Sequence, residues 1–375
     1  MEKETYIVTC QSGLENVLAE ELKSLGMQVL ETNFAMVSFF GTVYDLYKAN
    51  ICLRTALHIL KPLKTFNVKD YDILYYQTRK INWHKLFDIT KNIRIDVKGK
   101  SNTLNNSQYV IHRVKDSILD TFRKFFDSQR PSVDKENPDI GITVYLNENH
   151  ATIYLDSSGI SLFKRGYRNI QSEAPIKEDL AAGILLLSDW DRKKDVFDPM
   201  CGTGTFLIEA YMIANNIPPN IDRDFSFTNW FDFDEEIFNK VKEDVKNSIK
   251  LTNTNFFGCE LDKQTYDKAN QVIKKLGFQK NIKIDNVDFR KKDKNYNDIF
   301  IITNPPYGER LAKNEDLTQF YKEIGDFLKQ KCKNSNASIF TANLEAGKFV
   351  GLRTKAKIQL HNGPLEARLL KYELY

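Results

Sequence analysis

Apolar positions follow two rhythms along the chain, and the change from one to the other marks its elements. Residues 5–9 (TYIVT) alternate as a half-buried strand does. Residues 13–25 then carry Leu14, Val17, Leu18, Leu22 and Leu25 at helical spacing, and Gly26 is placed to cap that helix. Residues 27–32 (MQVLET) and 35–41 (AMVSFFG) read as two further strands, which suggests a small α+β unit. Residues 44–60 read as a helix. Residues 93–98 (IRIDVK) alternate again as a strand, and residues 107–126 form a long amphipathic helix. Residues 142–156 (ITVYLNENHATIYLD) make two alternating runs around the polar turn Asn147–Asn149, the pattern of a β-hairpin.

Residues 157–174 lose apolar periodicity and read as a linker. Beyond them strands and helices alternate. Helices are expected at 176–187, from 205 and at 263–276. Strands are expected at 195–197, 255–258, 283–286 and 298–303. Such alternation predicts an α/β fold with a doubly wound, mostly parallel sheet.

Composition changes the picture little. The chain has 375 residues, 42% of them hydrophobic and 28% charged, as a globular protein of two or three domains would. The longest apolar run, LAAGILLL at 180–187, is too short to span a bilayer. The N-terminus lacks a secretory pattern, so a cytoplasmic location is expected. The five cysteines form no CxxC pair and no histidines gather near them, so neither a zinc site nor a disulfide framework is expected. Net charge is only +4, yet residues 51–100 alone carry +7. That segment suits either a solvated surface or contact with a phosphate backbone.

Four stretches carry candidate chemistry. DPMCGTGT (198–205) follows the strand DVF, where a parallel sheet binds ligands. It lacks the lysine of a Walker A loop, and Leu207 stands where a dinucleotide fingerprint needs Gly or Ala. A third ligand, S-adenosylmethionine, needs only the glycine turn and an acidic group for its ammonium. In FFGCELD (256–262), Glu260 at a strand end can accept from ribose hydroxyls, while Asp262 suits a helix N-cap. In NVDF (286–289), Asp288 could receive an adenine amino group and Phe289 pack on its ring. The last stretch, NPPY at 304–307, follows the apolar run IFII. Two prolines force the chain out of the sheet stiff and extended. The Asn304 side-chain oxygen and the Pro305 carbonyl can both accept from one amine, and Tyr307 offers a face on which a base can stack.

Taken in order, these motifs resemble the class I S-adenosylmethionine-dependent methyltransferases that act on amino nitrogens. More narrowly, the chain resembles the THUMP-domain RNA methyltransferases, nearest to the bacterial 23S rRNA guanine-N2 enzymes. LFKRGYR (162–168), APIKEDLAAGIL (174–185) and the R-x-F-x-F-x-x-W pattern of Arg223, Phe225, Phe227 and Trp230 extend the likeness over essentially the whole chain. The resemblance implies a ferredoxin-like segment at 1–43, a THUMP RNA-binding domain at 44–156, a linker at 157–174 and a methyltransferase domain at 175–375. It implies that Asp198, Gly202 and Gly204 line the methionine end of S-adenosyl-L-methionine and that Cys201, Thr203 and Thr205 of the same loop also bind the cofactor. Glu260 would take the ribose, Asp288 and Phe289 the adenine, and Glu178 a place near the cofactor. Asn304, Pro305, Pro306 and Tyr307 would hold the target base. Lys164, Arg165, Arg168, Arg94, Lys98 and Lys100 are candidate RNA contacts. The expected partner is RNA, 23S rRNA or a large-subunit precursor, with no metal and no membrane.

The chain departs from many relatives in carrying Glu260 where they carry Asp, and it ends at Tyr375 with one such domain, so one methylation activity is expected. Adenine-N6 methylation, a tRNA target, and an RNA-binding assembly factor with an inactive methyltransferase domain stand as alternatives. A nicotinamide-dependent oxidoreductase is disfavoured by Leu207.

Overall fold

The computed structural model describes residues 2–167, 176–307 and 316–375. They divide into two compact units that do not follow chain order. The first holds residues 1–10, 21–162 and 220–244, and the second residues 11–20, 163–219 and 245–375.

The first unit is built on one seven-stranded sheet. Its strands are β1 (Glu4–Cys10), β2 (Gln28–Asn33), β3 (Met36–Gly41), β4 (Ala56–Asn67), β5 (Ile93–Ser101), β6 (Ile140–Glu148) and β7 (His150–Asp156), in the order β2-β3-β1-β4-β7-β6-β5. The helices before and among them are α1 (Glu15–Ser24), most of which belongs to the second unit, α2 (Val43–Cys52), α3 (Tyr71–Arg79) and α4 (Ser107–Phe125). The expected hairpin forms as β6 and β7, turning through residues 148–149. Ile142, Val144, Leu146, Ala151, Ile153 and Leu155 are buried, as are Val110, Val114, Ile118 and Phe122 of α4. The strands thus bury one face of the sheet, and α4 packs on β5.

The helix expected at 44–60 stops at Cys52. Its N-terminus is fixed by a capping box, Thr42 with Asp45. Residues 56–60 belong instead to the central strand β4, which pairs with both β1 and β7. Two flanking strands outweigh the helix-compatible Ala56, Leu57 and Leu60.

The R-x-F-x-F-x-x-W segment belongs to the first unit. Phe227 stacks on Tyr47 with ring centroids 4.4 Å apart, Phe225 stacks on Phe227 at 5.1 Å, and Phe238 meets Tyr47 edge-on at 5.6 Å. Arg223 donates to the carbonyls of Ser161 (3.2 Å) and Ile160. Ser157 and Ser158, at the start of the expected linker, are fully buried and hydrogen-bonded to Asn50.

The second unit carries the doubly wound sheet. Its strands are β8 (Val196–Asp198), β9 (Phe256–Cys259), β10 (Ile282–Asp285), β12 (Phe300–Thr303), β14 (Asn336–Thr341), β15 (Ala356–Asn362) and β16 (Leu365–Glu373), while β11 (Tyr296–Asn297) and β13 (Cys332–Lys333) form a separate short parallel pair. The order is β10-β9-β8-β12-β14-β16-β15, parallel as far as β14 and closed by two antiparallel strands. Its helices are α5 (Glu178–Leu187), α6 (Thr205–Ala214), α8 (Lys263–Lys275) and α9 (Leu317–Lys331), while most of α7 (Glu235–Asn247) belongs to the first unit. Along β12 the side chains alternate. Phe300 and Ile302 enter a core with residues of α5, α6 and α8, whereas Ile301 enters a second core with residues of α9. Both faces are covered, as a parallel sheet requires. No helix among the described residues is long and apolar enough to cross a membrane.

Candidate active site

The parallel register brings the carboxyl ends of four strands into one line. Ile301 of β12 pairs with Phe197 of β8, Asp198 with Gly258 of β9, and Cys259 with Asp285 of β10. Asp198, Glu260, Asp288 and Asn304 all lie at or just past these ends. Sheet order reverses between β8 and β12, since later strands are added on both sides of β8. An open α/β sheet binds ligands at such a switch point.

The glycine loop leaves β8 at Asp198 and enters α6 at Thr205. It is tied down by backbone and side-chain bonds. Cys201 N donates to the Cys259 carbonyl (2.9 Å), Gly202 N to Glu260 Oε2 (2.9 Å), and Gly204 N to the Cys201 carbonyl (2.8 Å). Thr203 sits in the turn and Thr205 opens α6 as a buried residue. Gly202 has φ +55°, and a Cβ added there would meet nothing within 4 Å, so open space lies over the loop. At Gly258 the reverse holds. An added Cβ would lie 2.9 Å from Leu207 Cδ1 and 3.0 Å from the Asp198 carbonyl, so glycine is what lets β8 and its loop close on β9.

Asp198 is 1% exposed. Burial raises its carboxyl to about 7, against the Met200 amide that donates to it. Among the described residues no lysine or arginine pairs with it. A buried carboxylate without a cation beside open space fits a ligand ammonium. Glu260 bridges two backbone amides, those of Gly202 and Asp262 (2.7 Å). Burial pushes its carboxyl up and those hydrogen bonds partly offset the rise. Asn286 Nδ2 donates to the Glu260 carbonyl (2.8 Å) and fixes the strand end from the β10 side. Asp262 caps α8 as expected, accepting from Thr265 N at 2.7 Å. Cys201 is buried, and burial raises its thiol far above the ordinary range, which makes it packing rather than a nucleophile.

Asp288 opens a short 3₁₀ turn and is gripped by Arg290, whose Nε and Nη2 lie 3.0 and 2.6 Å from Asp288 Oδ2. Burial opposes its ionisation, but the Arg290 hydrogen bonds and charge prevail and hold the carboxyl below the usual range. Arg290 also pairs with Glu323 of α9 (2.8 Å) and lies over the Phe320 ring. Sequence reasoning did not single out this arginine.

Two expectations need correction. Phe289 is 3% exposed and sits in the α9 core, edge-on to Phe327 at 5.3 Å, so its ring is committed to packing and is unavailable to an adenine. Arg165 is no surface cation. Its side chain is 1% exposed, with Nε 3.2 Å from Glu209 Oε1 of α6, and the Tyr167 hydroxyl donates to the same oxygen at 3.0 Å. Burying a guanidinium demands such a partner, and Glu209 supplies it. Lys164 is exposed, whereas Arg168 lies outside the described residues. Glu178 is buried at the first turn of α5. In the first unit, Arg94 pairs with Asp96 (2.8 Å) and Lys98 and Lys100 are exposed.

Asn304 follows β12, with Pro305 buried and Pro306 and Tyr307 partly so. The Tyr307 hydroxyl donates to Asn304 Oδ1, and Asn343, just past β14, donates to the Tyr307 carbonyl (3.4 Å). The turn is therefore held from within and from the neighbouring strand end.

Residues 165–371 match a family model described as an RMKL-like methyltransferase domain. The chain belongs to that family. Residues 5–60 match an RlmL ferredoxin-like domain and residues 68–156 a THUMP domain. A Synechocystis protein provisionally named RNA methyltransferase slr0064 is 36% identical, over 99% of this chain and 97% of that protein. The ribosomal RNA large subunit methyltransferase K/L of Psychromonas ingrahamii is 35% identical, over 99% of this chain and 50% of that protein. The chain thus spans about half the length of the K/L relatives it matches. The crystal structure of SMU.472, provisionally called a methyltransferase and complexed with SAH, superposes with a TM-score of 0.89 at 27% identity, covering 100% of this chain and 99% of that one. This methyltransferase is a class I enzyme, and its cofactor is S-adenosyl-L-methionine.

Proposed function

We propose that this methyltransferase modifies an exocyclic amine of an RNA base, most specifically N2 of a guanine in large-subunit ribosomal RNA. The observation that carries the reading is the rigid Asn304–Tyr307 turn beside the strand end that bears Asp198. The THUMP match and the names of the K/L relatives support RNA, and ribosomal RNA, as the substrate.

S-adenosyl-L-methionine supplies an electrophilic methyl group on a sulfonium. Asp198 takes the ammonium of that cofactor, Glu260 its ribose hydroxyls and Asp288 its adenine amine. An amine on a purine ring is a poor nucleophile because its lone pair is delocalised. Asn304 Oδ1 and the Pro305 carbonyl accept its two N–H hydrogens, which favours a pyramidal nitrogen with the lone pair free. A carboxamide oxygen has two lone pairs, so the Tyr307 hydroxyl and the amine can both bond to Asn304. The Tyr307 ring carries the base, which has left its own stack. After transfer, the nitrogen loses its proton to water.

The test is to incubate the purified protein with methyl-labelled cofactor and unmodified 23S rRNA or tRNA, then digest the RNA and identify the labelled nucleoside by mass spectrometry. Label in N2-methylguanosine from rRNA is expected. Label in N6-methyladenosine overturns the base, label only in tRNA overturns the target, and no label in any RNA overturns the substrate class.

A further inference from the structure

The Asn304–Tyr307 turn is anchored from a direction that the mechanism does not use. β14 lies beside β12, and its carboxyl end runs into residues 342–345, next to the turn that leaves β12. Thr341, the last residue of β14, is fully buried, and its Oγ1 lies 2.6 Å from the Tyr321 hydroxyl of α9. Tyr321 is itself fully buried among the apolar residues of the α9 core. Hydroxyls placed in such a core cost free energy unless they are bonded. Thr341 Oγ1 also accepts from Asn343 N at 3.0 Å, which ties the next loop to this buried pair.

Asn343 carries the anchor on to the turn. Its Oδ1 accepts from Ala346 N at 2.9 Å, closing the loop ahead of the 3₁₀ turn Ala346–Val350. A backbone N–H only donates, so that bond assigns oxygen to this end of the carboxamide and nitrogen to the other. Nδ2 is then the atom that donates to the Tyr307 carbonyl (3.4 Å). Tyr307 is held at both ends, its carbonyl by Asn343 and its hydroxyl on Asn304 Oδ1. A continuous chain of contacts thus runs Tyr321–Thr341–Asn343–Tyr307–Asn304. It starts inside the α9 core and ends at the oxygen assigned to the target amine. The two prolines between Asn304 and Tyr307 are stiff, so a shift at Tyr307 is passed to Asn304 rather than absorbed.

We propose that Asn343, backed by Thr341 and Tyr321, is a positioning residue for methyl transfer. It fixes the Tyr307 ring and, through the Tyr307 hydroxyl, Asn304 Oδ1 before the target base arrives. The proposal rests on the reading of the Asn304–Tyr307 turn as the holder of the target amine. Asn343 acts on the reaction only through Tyr307. Attack in line on a methyl group demands that the amine be held closely, and a misplacement of about 1 Å costs about 10²-fold in rate.

Asn343→Asp tests the assignment, because it keeps the shape and the oxygen that Ala346 N needs and replaces only the donor toward Tyr307. In RNA methylation with labelled cofactor, kcat should fall about 10–100-fold. KM for S-adenosylmethionine, calorimetric affinity for S-adenosylhomocysteine and the melting temperature should stay at wild-type values. In the Asn304→Ala background the same substitution should cost little more, because its effect passes through Asn304. Thr341→Val, which keeps the shape without the hydroxyl, should lower kcat in the same direction. Glu345→Gln, which breaks only an exposed pair with Lys348, should leave kcat unchanged. Wild-type kcat in Asn343→Asp, or its full loss repeated in the double variant, overturns the proposal. Hydrogen exchange read by mass spectrometry needs no substrate. The peptide covering residues 300–307 should exchange faster in Asn343→Asp, and that covering residues 198–207 should not. Unchanged exchange at 300–307 overturns the proposal whatever RNA is used. Faster exchange there, in a protein whose wild type methylates no RNA, upholds the anchor and overturns the substrate reading alone.

Discussion

The two seven-stranded sheets place their polar groups differently. In the second unit, β12 sends Phe300 and Ile302 to one core and Ile301 to the other, so neither face of that central strand is free. The candidate polar groups Asp198, Glu260 and Asn304 sit at or just past the strand ends. In the first unit, β5, β6 and β7 bury one face and leave the other polar, so that unit presents a surface rather than a point. Covering both faces concentrates function at an edge line. Leaving one open spreads it out.

Arginines measure the contrast. Arg165, in the interior of the second unit, should cost about 3–5 kcal/mol when cut to alanine, because the buried Glu209 loses its guanidinium and keeps only the Tyr167 hydroxyl against its charge. Arg94, on the open face of the first, should cost less than about 1 kcal/mol, since its pair with Asp96 is half-exposed. Urea unfolding of the two variants would break the comparison if the costs were alike.

Asn304→Ala tests whether chemistry belongs to the strand end. Turnover should fall by about 10²–10³-fold, with S-adenosylhomocysteine affinity within a few-fold of wild type. Lost cofactor binding in calorimetry would instead make Asn304 a structural residue of the loop.

The Asp198 carboxyl sharpens the point through pH. Its folded value of about 7 lies above its ordinary 3.8, so the folded chain holds the proton more tightly than the unfolded chain does. The stability from this group is full below pH 3.8 and is lost as pH rises to about 7, after which it stays constant. Ligand-free protein should therefore be less stable at pH 8 than at pH 5 by an amount that Asp198→Asn removes. The ionised form is the one that attracts the cofactor ammonium, so affinity should fall as pH drops below 7. Thermal melts and calorimetry across pH check both signs.

Among the tests of the site, Arg290→Ala gives the smallest effect. Freed of its guanidinium, Asp288 should hold the cofactor less firmly, raising KM for S-adenosylmethionine about tenfold with kcat nearly unchanged. A change in kcat alone would place Arg290 with the base rather than the cofactor.

Much of the strand-end site was legible because it is written locally. An apolar run ending in two prolines can only be a strand that stops, and a glycine turn after DVF marks a loop at its end. The hairpin at 142–156 was equally plain from its alternation. What stayed hidden depends on distant partners. LFKRGYR reads as surface charge until Glu209, 44 residues away, is seen to bury Arg165. Phe289 lies in a short turn whose period gives no face, and α9 decides it. Residues 56–60 become a strand only because β1 and β7 pair with them. The aromatic run from Phe225 to Trp230 lies among methyltransferase segments, yet Phe227 stacks on Tyr47 and Phe225 on Phe227.

That last feature governs how the protein is made. A ribosome delivers the chain from the N-terminus, and the first unit lacks its 220–244 segment until much of the second has been synthesised. Tyr47 must wait for Phe227, so the first unit's sheet has to hold an incomplete core through that interval. A fragment ending at Leu162 would leave the Tyr47 ring without its stacking partner and carry the defect permanently, however well its strands pair.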